Sequence, residues 1–257
     1  MEINLLAISV GNSRLALGTF VAGELSRVTR IPHAQRNDWP AAIREAWMPI
    51  AKRESAAVAG ASVNPPLLEP LEHAASEVTG HEVEWIGSDV ELPIKNNTRE
   101  PQQTGVDRML NMAAAYEQLG KSCVVVDAGT AITIDCCNDQ GEFLGGSISP
   151  GIAMQLDALH ERTASLPRID FEKPTGVFGE NTRQAILHGV FGGVRGMVRE
   201  LVESYATALG SWPEVIATGG DAPALFENWE LVQAIVHDLT LYGIALAFTE
   251  HHIKHQT

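Results

Sequence analysis

Leu5-Leu6-Ala7-Ile8-Ser9-Val10-Gly11-Asn12-Ser13 and Val124-Val125-Val126-Asp127-Ala128-Gly129-Thr130-Ala131 are two copies of one pattern. Each is an apolar run, then Ser or Asp, one small or apolar residue, a Gly and small polar residues. Apolar residues resume at Leu15-Ala16-Leu17-Gly18 and at Ile132-Thr133-Ile134-Asp135. The pattern predicts strand, Gly-centred turn, strand. A glycine turn lets backbone N–H groups approach an anion closely, and small hydroxyl residues add donors. Two such hairpins facing each other across a cleft would grip the phosphates of a nucleotide. Gly129 lies 118 residues after Gly11 (129 − 11), which predicts two related domains, 1–119 and 120–257, bordering near Leu119-Gly120.

The 257 residues are 45% apolar, enough for a real core. A net charge of -14 argues against nonspecific binding to nucleic acid or to an acidic membrane surface. An anionic substrate would then need a local pocket built from loop N–H groups, an Arg or a cation. Cys123, Cys136 and Cys137 form an odd count in strand-like surroundings, which predicts reduced, buried thiols in a cytoplasmic protein. No apolar stretch reaches membrane-spanning length, and the Met1 segment lacks the basic region of a targeting signal.

Along the first half, strands are expected over 3–10, 14–20, 25–31, 56–62 and 83–86, and helices over 39–51, 66–78 and 107–119, with a polar, Pro-broken loop over 92–104. In the second half, strands are expected over 122–127, 131–137, 142–147 and 214–218. Helices are expected over 150–160, 229–235 and 241–252, and 163–178 reads as loop. The stretch 182–209 is a long helical pattern that Gly189, Gly192, Gly193 and Gly196 should break or loosen. Three strands followed by alternating helices and strands in each half make an α/β fold of two related domains.

Several segments allow both a structural and a chemical reading. Thr104-Gly105-Val106-Asp107-Arg108 opens a helix. From spacing alone Asp107 is an N-terminal cap; as a carboxylate it could instead remove a proton from an attacking alcohol. Arg108 could hold a substrate carboxylate in a bidentate pair. Gly145 to Gly151 reads as a tight turn from strand to helix, or as a source of N–H groups for a ligand. Gly219-Gly220-Asp221 poses the same choice, with its strand-then-glycine context suiting a loop against an adenosine. Thr182 is expected to cap the long helix, with a ligand-facing hydroxyl as the alternative. His251, His252 and His255 read as solvated tail residues, and Cys136-Cys137 as packing residues.

Taken in order, Ser9 to Ser13, Gly105 to Arg108, Asp127 to Ala131, Leu144 to Gly151, Leu156 to Ala164, Gly179 to Thr182 and Ile216 to Pro223 resemble the motifs of the type III pantothenate kinases. That family is a branch of the acetate and sugar kinase, Hsp70 and actin superfamily. The resemblance implies two duplicated ribonuclease-H-like (actin-like ATPase) domains with a nucleotide cleft between them, in a homodimer. It implies transfer of the γ-phosphoryl of ATP to the primary alcohol of pantothenate, the first step of coenzyme A synthesis. Mg2+ would accompany the nucleotide, and a monovalent cation, K+ or NH4+, would be needed. By resemblance Asp107 is the catalytic base, and Gly105, Val106 and Arg108 frame the pantothenate with Thr182. Ser9, Val10, Gly11, Asn12, Ser13, Arg14, Leu15 and Ala16 correspond to the first phosphate loop. Thr130 is an ATP contact and Asp127 the monovalent-cation ligand.

Two positions depart from the family pattern. Ser9 stands where the first motif usually begins with Asp, which removes a full charge from the metal–phosphate end. Thr98 stands where the loop before the base often has Tyr. Ser9 keeps open a second reading, a weakened or inactive homologue that binds nucleotide or pantothenate in a regulatory role. Thr98 keeps open a third, a kinase for another small hydroxy acid.

Overall fold

In the computed structural model, which describes residues 3–255, the chain forms two units by internal contacts. The first runs through Lys95 and adds Arg99–Ala114 and the chain from Leu239 onward; the second holds Asn96–Thr98 and Ala115–Asp238.

The first unit is built on a sheet of β1 (Asn4–Val10), β2 (Arg14–Val21), β3 (Glu24–Pro32), β4 (Ala56–Ser62) and β5 (Val83–Trp85), in the order β3-β2-β1-β4-β5. Helices α1 (Trp39–Trp47) and α2 (Leu68–Thr79) link β3 to β4 and β4 to β5. β1, β2 and β3 pair antiparallel, whereas β4 runs parallel to β1 and β5 parallel to β4. Alternation along β1 sends Leu6, Ile8 and Val10 to one face, where they pack with Ile43 and Trp47 of α1 and Leu71 and Ala75 of α2. Leu5 and Ala7 face the other way, onto Leu110, Leu241 and Ile244.

β6 (Lys95–Asn96) and α3 (Val106–Leu119) follow. The second sheet then repeats the first. β7 (Cys123–Ala128), β8 (Ala131–Cys137) and β9 (Glu142–Pro150) pair antiparallel. Helices α4 (Ile152–Glu161) and α5 (Thr182–Leu209) lead to β10 (Glu214–Thr218), which pairs parallel with β7. Short α6 (Ala222–Phe226) leads to β11 (Ala234–Ile235), parallel to β10, and α7 (Leu239–His255) ends the chain. The order β11-β10-β7-β8-β9-β6 reproduces the first sheet with β6 added at its edge. The fold is therefore α/β with two ribonuclease-H-like sheets of identical strand topology. Residues 1–119 and 120–257 differ from the contact units mainly in α7, which packs on β1, β2 and β4 of the first unit.

The structure differs from expectation in several places. The long helix is continuous over 28 residues. Its buried stripe of Leu187, Val190, Val194, Val198 and Val202 packs with Val124, Val126, Ile132 and Ile134. Gly189, Gly192, Gly193 and Gly196 meet nothing within 4 Å where a Cβ would be. Burial of the stripe outweighs the ~1 kcal/mol that each helical glycine loses. Residues 229–235 are not helical: the backbone N–H groups of Gln233 and Val236 bond to Val215 and Ala217 carbonyls (2.9 and 2.8 Å), which draws the segment onto the sheet edge. The third strand of the second sheet extends to Pro150, so the glycines at 145 and 146 lie in a strand rather than a turn. The loop 92–104 includes β6 and a 3-10 turn at Pro101–Gln103. His252 is no solvated tail residue, since its Nε2 lies 2.9 Å from Glu84 Oε2. The three cysteines are buried, with Cys123 and Cys137 sulfurs 3.4 Å apart across paired strands.

Two glycines give opposite expectations. A Cβ at Gly243 of α7 would press on the backbone carbonyl of Leu110, so Gly243→Ala should destabilise by about 1–3 kcal/mol. Gly196→Ala fills open space on a helix and should stabilise by roughly 0.5–1 kcal/mol. Chemical denaturation measures both; a neutral Gly243→Ala would refute the α7–α3 packing.

Candidate active site

The first hairpin turn is fixed from inside and polar outside. Val10 and Leu15 are buried on either side of it, whereas Asn12, Ser13 and Arg14 are exposed. Gly11 N–H donates to the Arg14 carbonyl (3.1 Å) and Val63 N–H to the Val10 carbonyl (3.0 Å). Ser9 is half-buried, paired with Ala16 on β2 and Ala61 on β4, so only small residues flank it. From the end of β3, the His33 backbone N–H donates to the Ser13 carbonyl (3.1 Å), and its ring Nε2 lies 2.8 Å from the Gly11 carbonyl oxygen.

The first turn of α3 carries the carboxylate. The helix begins at Val106, so Asp107 is its second residue and not the residue before the helix. The expected acid at the helix start is present and accepts a backbone N–H, from the first turn rather than from the cap position. The Asp107 carboxylate accepts the Arg108 backbone N–H at 2.8 Å. A Cβ at Gly105 would come within 2.7 Å of Asp107 Oδ1, so residue 105 must be small for the carboxylate to fold back over it. Burial raises the Asp107 pKa above its ordinary value; the Arg108 N–H and guanidinium act in the opposite direction but do not cancel it. Val106 and Arg108 flank it, both half-buried.

In the second unit three chain segments meet at the turn after β7. Gly129 N–H closes the turn onto the Ala131 carbonyl (3.0 Å). Gly151 N–H donates to the Thr130 carbonyl (3.1 Å), and Asp221 N–H to the Ala128 carbonyl (2.9 Å). Gly219 has φ +92°, and a Cβ there would fall 2.5 Å from Asp127 Oδ1 and against the Ala128 carbonyl. A Cβ at Gly151 would strike the carbonyl oxygens of Gly129 and Thr130. Only glycine admits either approach. Asp127 is half-buried between Thr133 on β8 and Thr218 on β10.

Thr182 is exposed at the first position of α5. The cap expected of it belongs to Asn181, whose side-chain oxygen accepts the Gln184 N–H at 2.9 Å. Thr98 N–H bonds to the Asn96 side chain (2.9 Å), and its methyl lies under Gly145, 3.6 Å from where a Cβ would stand. The structure thus groups Ser9 to Ala16 and Gly105 to Arg108 in the first unit, and Asp127, Thr130 and Thr182 in the second.

Sequence reasoning missed His33 and Asn181. A single histidine after a strand has no motif; the usable signal is register, because Pro32 pairs with Arg14 and so brings residue 33 to the turn.

The family model of the type III pantothenate kinases matches residues 5–204. A type III pantothenate kinase of Solibacter usitatus (strain Ellin6076) is 31% identical over 253 residues, covering 96% of this chain and 97% of the relative. One from Anaeromyxobacter sp. (strain K) is 35% identical over 247 residues, covering 94% and 97%. Among solved structures, a conserved protein of the Baf family from Campylobacter jejuni matches with a TM-score of 0.61 at 22% identity, over 95% of this chain and 98% of that one. That likeness bears on the fold alone. With the family model spanning most of its length and relatives above 30% identity over nearly all of it, the chain belongs to the type III pantothenate kinase family.

Proposed function

We propose that this chain transfers the γ-phosphoryl group of ATP to the primary alcohol of pantothenate, giving 4'-phosphopantothenate for coenzyme A synthesis, with Asp107 as general base. The observation that carries the assignment of the base is a carboxylate held half-buried in a helix's first turn at a pKa raised by burial. A desolvated carboxylate is a stronger base than an ordinary surface aspartate. It takes the hydroxyl proton as the alcohol oxygen attacks the γ-phosphorus, and the bond to the bridging oxygen breaks to release ADP. Arg108 is the partner for the pantothenate carboxylate, Gly105 and Val106 line the same end of α3, and the Thr182 hydroxyl is a further contact.

Ser9 to Ala16 form the first phosphate loop in this reading, donating from a turn whose polar residues are exposed. Thr130 supplies the second turn's contact to ATP. Asp127 fits a monovalent cation: one carboxylate among backbone carbonyls, in a cradle that a Cβ at Gly219 would fill. In this reading Mg2+ enters with the nucleotide substrate. The bound monovalent ion would supply positive charge beside the phosphates. Homodimerisation, cytoplasmic location and the descent of 1–119 and 120–257 from one duplicated domain complete the proposal. Among the described residues no helix is long and apolar enough to cross a membrane.

Asp107→Asn should lower pantothenate-dependent ADP release by on the order of 10²–10⁴-fold. The folded pKa of Asp107 lies above the unfolded one, so the native state holds the proton longer and stability falls as pH rises through that interval. The Asn variant should therefore be as stable as the parent or more so at neutral pH, and the difference should vanish below the unfolded pKa. The wild-type rate should fall on acidification at a pH above that of an ordinary aspartate. Full turnover in Asp107→Asn would remove Asp107 as the base.

Asp127→Asn should abolish the stimulation of turnover by K+ or NH4+ in a titration of either salt at constant ionic strength. An unchanged titration would place the cation elsewhere.

A further inference from the structure

The first turn is gripped by a side chain that belongs to none of the motifs. Two contacts link His33 to the turn: its backbone N–H to the Ser13 carbonyl at 3.1 Å, and its ring Nε2 to the Gly11 carbonyl at 2.8 Å. A carbonyl oxygen only accepts, so Nε2 carries the proton. Nδ1 is buried and has no hydrogen-bond partner, so the ring engages the turn through Nε2 alone. The buried Trp39 ring stands edge-on to it, with centroids 6.0 Å apart and planes at 77°, which fixes the imidazole plane.

The consequence follows from peptide geometry. The Gly11 carbonyl and the Asn12 N–H belong to one planar trans peptide and point in opposite directions. By drawing the Gly11 oxygen toward itself, His33 turns the Asn12 N–H to the other side of the turn. Gly11 N–H is already committed to Arg14, so the Asn12 amide is the next donor the turn can offer, and Asn12 is exposed. We propose that His33 is a positioning residue for phosphoryl transfer, aiming the Asn12 amide of the first turn at the phosphates of ATP. This rests on the reading of Ser9 to Ala16 as the first phosphate loop.

Steady-state kinetics of His33→Leu and His33→Gln, with ATP and pantothenate varied separately, test it, with Ser13→Ala alongside. His33→Leu removes the donor and should lower kcat/KM for ATP by about tenfold. The KM for pantothenate and the melting temperature should stay near those of the parent. His33→Gln restores a donor and should recover most of the loss; a merely structural role would move both substrates and the melting temperature together. If Ser13→Ala weakens ATP use and His33→Leu does not, the positioning role is overturned and the loop reading stands. If neither variant moves the ATP parameters, the loop reading fails and takes the inference with it. Should His33→Leu fail to fold, 15N-histidine spectra of the wild-type protein decide. The Nε2–H tautomer, with an Asn12 amide shift on adding MgADP, supports the role, and an Nδ1–H tautomer overturns it.

Discussion

Parallel, in-register pairing of each sheet's central strand with the strand that returns beside it is the constraint on which the site depends. β1 runs with β4 so that Val10 meets Ser62, and β7 runs with β10 so that Asp127 meets Thr218. Both carboxyl ends therefore stop at one edge of their sheet, where ligands of open α/β sheets bind. The hydrogen bonds just beyond are equivalent in the two copies. The Val10 carbonyl accepts from Val63 and the Ala128 carbonyl from Asp221, each from the chain leaving the returning strand. A slip of one residue would send Ser9 and Asp127 to the opposite faces of their sheets.

The copies keep this scaffold but close their turns by different means. At the second turn the end of β9 donates through Gly151, whose backbone lies so close to Gly129 and Thr130 that no side chain fits. At the first turn the end of β3 donates through His33, with an imidazole reaching further to Gly11. One turn is ordered by the absence of a side chain and the other by the presence of one. The carboxylates diverge in parallel. Asp127 and Ser9 occupy the same place, two residues before the turn glycine, and only the second copy keeps a charge there. The charge at the second turn is what the proposed cation site rests on, and its loss at Ser9 leaves the first turn with hydrogen-bond donors and Arg14.

The repeat was legible because strand periodicity and turn glycines are local signals. Gly11 and Gly129 sit between apolar runs that have no other good structure. Strand ends such as Ala56–Ser62 and Glu214–Thr218 were equally plain. What sequence could not supply was tertiary in origin. The glycines of α5 look like breaks until the buried stripe on the opposite face is known. The stretch 229–235 carries helix-compatible residues, but turns through 229–233 and is held on β10 by its carbonyls, with Ala234–Ile235 as strand. At the site, the residue types were visible but their environments were not. Asp107 reads as a cap from spacing, and the proposal that it is a base rests on its burial, which the sequence does not show. His33 was invisible because its partner is a carbonyl 22 positions away.

A chain of net charge -14 is an unpromising receptor for ATP if charge is counted over the whole molecule. That count is the wrong measure. At physiological ionic strength exposed charges are largely screened beyond ~8 Å, so the groups within a few ångströms of the ligand decide. At the first turn, the proposed phosphate loop, these would be backbone amides, the Asn12 and Ser13 side chains and Arg14, with no acidic residue between Ile3 and Val21. As the proposed base, Asp107 would need the opposite surroundings, since a carboxylate steeped in positive charge is a weak base. Here burial outweighs Arg108, and the pKa moves up rather than down. In the proposed reading the sequence thus sets amides, hydroxyls and Arg14 where phosphate charge would be held, and burial where a proton would be taken.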